Sequence, residues 1–104
     1  MNIVQGSNAP IEIEFDEDVS GLTSLIVSLW NPKNIIEPAI SWEKSDMTIS
    51  GANASCPITQ AQTAALPVGH MILEAKGVNG DGVTVIWDRV VINVAPRYDR
   101  NLGE

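Results

Sequence analysis

Early in the chain apolar and polar residues alternate with a period of two: Ile11, Ile13 and Phe15 interleave with Glu12, Glu14 and Asp16. Successive strand side chains point to opposite faces, so this spacing predicts a half-buried strand over 11–15 with its carboxylates outward. Ser24–Trp30 (SLIVSLW) is nearly all apolar and reads as a central strand covered on most of both faces. Asn31-Pro32 ends it, because proline cannot donate to a ladder. Short strands are expected over 39–42, 47–50 and 54–58, with Gly51-Ala52-Asn53 joining the last two. Pro57 makes the last of these an edge strand or ends it. Thr59 followed by Gln62 has capping-box spacing, and the run to Leu66 is stopped by Pro67, so one helical turn is expected near 59–66.

The last third reads as a long hairpin, with arms over 71–78 and 83–94 around Asn79-Gly80-Asp81-Gly82, residues that tolerate the backbone of tight turns. In the first arm Met71, Leu73 and Ala75 share one face, and His70, Ile72, Glu74 and Lys76 the other. The second arm is irregular. Val83, Val85, Trp87 and Val91 share a parity with Arg89, while Ile86, Val90, Ile92 and Val94 share the other with Asp88. That mixture predicts a bulge or a change of exposed face over 87–90.

About seven short strands separated by turn signals define the expected fold class, all-β. The architecture is an immunoglobulin-like two-sheet antiparallel β-sandwich with one short helical turn. A chain of 104 residues holds one hydrophobic core, assigned to 1–96, with 97–104 a polar C-terminal tail or linker. The usual inter-sheet disulfide is ruled out, because Cys56 is the single cysteine.

Charge and composition narrow the function classes. The formal net charge is −7, which disfavours nucleic acid and anionic membrane surfaces, since both require a basic footprint. One cysteine and one histidine exclude a disulfide framework and a Cys/His zinc cage. Residues 1–10 lack the basic start and apolar stretch of a signal peptide, and no apolar run approaches the ~18–20 residues of a membrane span. Folding in a cytoplasm, with Cys56 a thiol, is the expectation.

Five groups of residues are candidates for chemistry. Glu12, Glu14, Asp16, Glu17 and Asp18 could bind Ca²⁺, but carboxylates on one strand face project in parallel and no D-x-D-x-D-G loop is present. They read better as a solvated face that blunts edge pairing, or as a surface for a basic partner. Asn79-Gly80-Asp81-Gly82 could form a cation loop or an anion nest, yet a turn accounts for all four residues. His70 could act as a general base only beside a hydroxyl and a carboxylate, and no nucleophile-elbow motif accompanies it. Cys56 shares parity with Ala54 and Ile58 and is expected in the core. Of the three tryptophans, Trp30 and Trp42 flank the loop over 32–38 and are the candidates for an exposed aromatic patch. Glu12, Glu14, Asp16, Trp30 and Trp42 are thus the expected interface, with no catalytic, cofactor or metal residue assigned.

Several short landmarks occur in order: Gln5-Gly6, Val19-Ser20-Gly21-Leu22 before Leu25, then Ile58-Thr59, Thr63 and Leu66-Pro67-Val68-Gly69 before a strand with Glu74. This series resembles the immunoglobulin-like N-terminal domain of bacteriophage baseplate upper proteins and related small phage tail and neck modules, over roughly residues 3–94. Met71 departs from that pattern, which more often has an aromatic there. The resemblance implies a non-enzymatic virion structural module of phage or prophage, assembled in a bacterial host cytoplasm. Its implied partners are other phage structural proteins and further copies in an oligomer or ring, with no nucleic acid, membrane insertion or cofactor. The alternatives are a carbohydrate-binding sandwich that recognises host glycan through an exposed tryptophan, and a small hydrolase built on His70.

Overall fold

Alternation of side chains builds nearly every strand. The structure is a computed structural model that describes residues 2–34, 36–87 and 89–96. The expected tail over 97–104 lies outside the described residues. The strands are β1 (Asn2–Val4), β2 (Ile11–Glu14), β3 (Ser24–Trp30), β4 (Ile40–Glu43), β5 (Thr48–Ser50), β6 (Asn53–Cys56), β7 (Gly69–Val78), β8 (Thr84–Ile86) and β9 (Val90–Ala95). A 3₁₀ turn at Lys44–Asp46 and a helical turn α1 (Gln60–Ala64) interrupt the series.

Two sheets pack face to face as a β-sandwich of immunoglobulin-like character. The large sheet runs β1-β9-β7-β3-β4, with β8 continuing alongside β7, and the small sheet runs β2-β6-β5. Inward positions of both form one core: Leu25, Val27 and Leu29 from β3, Met71, Leu73 and Ala75 from β7, Ile92 and Val94 from β9, and Ile11, Ala54 and Cys56 from the small sheet. Met71 is fully buried, so an unbranched thioether fills the inward position.

Several expectations hold and several are corrected. The helical turn forms as its capping box requires: Thr59 Oγ1 accepts from Gln62 N–H at 3.1 Å, and Gln62 Oε1 accepts from Thr59 N–H at 2.8 Å. The 79–82 turn is a turn, with Asn79 Oδ1 accepting from the N–H groups of Asp81 and Val83 and Gly82 at φ 79°. Pro57 does end its strand, but β6 is central in the small sheet and not an edge. The sandwich is not wholly antiparallel: β1 pairs with β9 in parallel, Ile3 opposite Val94. This three-residue strand has too little pattern of its own to be visible before its partner is known.

The irregular second hairpin arm contains a register slip. Lys76 faces Ile86, while Leu73 faces Val90. Three steps along β7 therefore match four on the opposing segment, which places one extra residue between β8 and β9. The slip explains why Ile86 and Val91, of opposite parity, lie on the same outer side. Trp87 sits at the slip, its N–H donating to the Ala75 carbonyl at 3.1 Å and its ring 4.8 Å from that of Phe15 beyond β2. A Cβ at Gly77 would meet Leu22 Cδ1 at 2.8 Å and the Trp87 ring at 3.2 Å, so any larger residue there must displace these side chains.

The landmarks of the resemblance are structural staples. Thr63 is fully buried and donates to the Ser7 carbonyl at 2.6 Å, while Gln5 Nε2 donates to the Leu66 carbonyl at 2.7 Å. Gly6, at φ 83°, turns the chain between β1 and this anchor. Removing the hydroxyl while keeping the shape leaves the Ser7 carbonyl without its partner, so Thr63→Val is expected to lower stability by about 1–2 kcal/mol. Urea unfolding checks this: the midpoint falls with an unchanged slope, and an unmoved midpoint rejects the staple.

Candidate functional site

The outer face of the large sheet carries an unusual residue mixture for a surface. Strand pairing aligns Trp30 of β3, Ile72 of β7 and Val91 of β9 in one row. A second row aligns Ser41, Ser28 and Glu74, and a third aligns Glu43, Ile26, Lys76 and Ile86. Val91 is 56% exposed and Ile86 65%, while Trp30, Ile26 and Ile72 are half-buried. Among the described residues no further layer lies over this face. The apolar strand Ser24–Trp30 is therefore covered on its inner side by the core and only partly on its outer side, which corrects the expectation of cover on both.

Between the rows, Arg89 Nε donates to Glu74 Oε2 at 3.0 Å. The arginine is largely exposed, so the pair contributes at most about 1 kcal/mol and serves mainly to position the two groups. Trp30, Pro32, Ile72, Glu74 and Arg89 line a depression of about 190 Å³. The Trp30 indole N–H is occluded and has no acceptor among the described residues, an arrangement that costs about 1–3 kcal/mol.

The residues expected at an interface do not come together. Trp42 is 3% exposed and points into the core from β4, its indole N–H donating to the Pro57 carbonyl at 2.7 Å. It is not part of an exposed patch, because on β4 it shares the inward parity of Ile40. Trp30 is on the opposite, outer face. Glu12 and Glu14 are exposed on β2, an edge of the small sheet, where Ser55 Oγ donates to Glu12 at 3.1 Å. Asp16 accepts from the Trp87 indole N–H at 3.3 Å, a link between the two sheets. Asp18 binds both the N–H and hydroxyl of Ser20, and these hydrogen bonds lower its pKa below the ordinary value.

The groups weighed for chemistry are dispersed. His70 is exposed at the start of β7, opposite Asn93, and its imidazole makes no hydrogen bond among the described residues. Among the described residues no three His, Cys, Asp or Glu side chains cluster as metal ligands, and no helix is long and apolar enough to cross a membrane. Cys56 is fully buried, and burial first, then the nearby Glu12 charge, pushes its thiol up to about 12.

No protein-family model and no curated protein matches the chain. Among solved structures the fold is similar to CopC from Methylosinus trichosporium OB3b, with a TM-score of 0.62 and 12% identity over 94% of this chain and 85% of that one. This likeness overturns the functional expectation of a phage tail, baseplate or neck module: the solved structure it matches is CopC and not a virion component. The physical reason lies in the landmarks themselves. Gln5 and Thr63 tie the N-terminal segment to α1 and its end, and Thr59 caps that turn, so they specify a fold and say nothing of a partner.

The Cys56 environment sets a pH dependence. The unfolded thiol ionises near pH 9, whereas the native thiol stays protonated to about 12. Above pH 9 the unfolded state therefore binds fewer protons, and stability falls as pH rises through that window. Urea midpoints between pH 8 and 11 are expected to fall more steeply for wild type than for Cys56→Ala. Equal slopes would contradict a protonated native thiol.

Proposed function

We propose that the chain is a non-catalytic binding domain whose partner is a second copy of itself, docked through the outer face of the large sheet. The observation that carries the reading is the row Trp30, Ile72 and Val91, an apolar surface on a strand rich enough in apolar residues to be covered on both sides. Burying such a row is worth about 25 cal/mol per Å² of apolar area, which is the driving force available to association.

The local charge of this face permits a second copy, although the whole chain is acidic. The whole chain carries −7, and two such molecules repel. The outer face of the large sheet is balanced, with Glu43 and Glu74 against Lys76 and Arg89. The acidic run Glu12, Glu14, Asp16, Glu17 and Asp18 belongs to β2 and the segment after it. A two-fold arrangement of large sheets places the carboxylates of one copy near the cations of the other and keeps the acidic strands apart. Residual repulsion is screened by salt, so association strengthens as salt rises.

Sedimentation equilibrium tests the reading. Wild type is expected to form dimers that tighten between 50 and 500 mM salt (about one to ten times a 50 mM reference). Val91→Glu, at an exposed site, is expected to weaken the dimer at least about tenfold, or about 1.4 kcal/mol, without lowering the melting temperature at dilutions where wild type is monomeric. A wild-type monomer at millimolar concentration removes the proposal.

A further inference from the structure

A second surface, on a different part of the fold, has the donor pattern of a ligand site. The segment after β3 and α1 enclose a groove of about 510 Å³, within the size range of small-ligand pockets. Its apolar floor includes Ile40, Ala61, Ala65 and Leu66. Its polar lining is Asn31, Asn34, Gln62 and Glu37.

The three amides share one feature. Asn31 Oδ1 accepts from the Lys33 N–H at 3.0 Å, Asn34 Oδ1 from the Ile36 N–H at 3.2 Å, and Gln62 Oε1 from the Thr59 N–H at 2.8 Å. Each carbonyl oxygen is committed to a local backbone group, which fixes the orientation of the amide. Each NH₂ is left as a donor, and among the described residues none has an acceptor. The groove therefore offers three fixed donors, one carboxylate acceptor and an apolar floor. Of β4 only its first residue, Ile40, lines the groove.

We infer that this groove binds an extended peptide segment. A peptide main chain supplies what the lining lacks: carbonyls for the three NH₂ groups and N–H groups for Glu37. Small apolar side chains fit the alanine and leucine floor. An anionic ligand matches the NH₂ donors but is opposed by Glu37 and by the −7 charge of the chain. The site is separate from the outer face of the large sheet and stands whether or not that face dimerises.

The test exploits the committed oxygens. Asn31→Asp, Asn34→Asp and Gln62→Glu keep an oxygen for each backbone N–H and replace each NH₂ donor with a carboxylate oxygen; the added charge acts only weakly on uncharged peptides, and the Gln62→Glu change preserves the capping box. Wild-type full chain and the triple variant are panned against a bead-displayed library of capped, uncharged hexapeptides, with melting curves recorded for both. The expected result is a set of peptides enriched on wild type that lose at least tenfold affinity on the triple variant at equal melting temperature. In nitrogen-15 spectra of wild type, those peptides shift the side-chain NH₂ signals of Asn31, Asn34 and Gln62. If the triple variant melts lower, Gln62→Glu alone carries the comparison, with a smaller loss expected. No enriched peptide, or equal binding by wild type and the variants, overturns the inference.

Discussion

Strand β7 imposes the constraint from which the other features follow. Over Gly69–Val78 it pairs on one side with β3 and on the other with β9 and β8, so its alternation sets the inward and outward faces of the whole large sheet. Met71, Leu73 and Ala75 must point inward to close the core, and this forces Ile72, Glu74 and Lys76 outward. The surface row of Trp30, Ile72 and Val91 is thus a direct product of the register that makes the core.

The register slip near Trp87 extends that effect. Without the extra residue, Ile86 and Val91 would lie on opposite faces and the outer surface would lose part of its apolar character. The slip keeps both outward and turns Trp87 toward Phe15, tying the large sheet to the end of β2. Core closure and surface composition are therefore coupled through one local irregularity, of the kind bulges commonly introduce at sites where a side chain must be re-aimed.

Much of this was legible from residue order. The period-two run of β2, the capping box of α1, the Asn79 turn and the irregular parity near Trp87 each have a local physical cause, and each is present in the structure. The parallel pairing of β1 was not legible, since its three residues gain their meaning from β9 at the other end of the chain. The inward position of Trp42 had a visible signal in the alternation of Ile40, Ser41, Trp42 and Glu43, obscured by the loop it flanks. The candidate surface had a subtler one: Ile72 stands on the polar parity of β7, beside His70, Glu74 and Lys76. The landmarks of the phage resemblance could not reveal function, because their hydrogen bonds serve the fold.

The central claim is that the outer face of the large sheet is a surface made to be covered. The three tryptophans report on it separately: Trp42 in the core, Trp87 between the sheets and Trp30 on the outer face. Fluorine NMR of fluorotryptophan-labelled protein, followed on dilution from millimolar to micromolar concentration, resolves them. The account predicts a concentration-dependent shift at Trp30 alone. A Trp30 signal that stays fixed across the dilution series, or equal movement of all three, contradicts it.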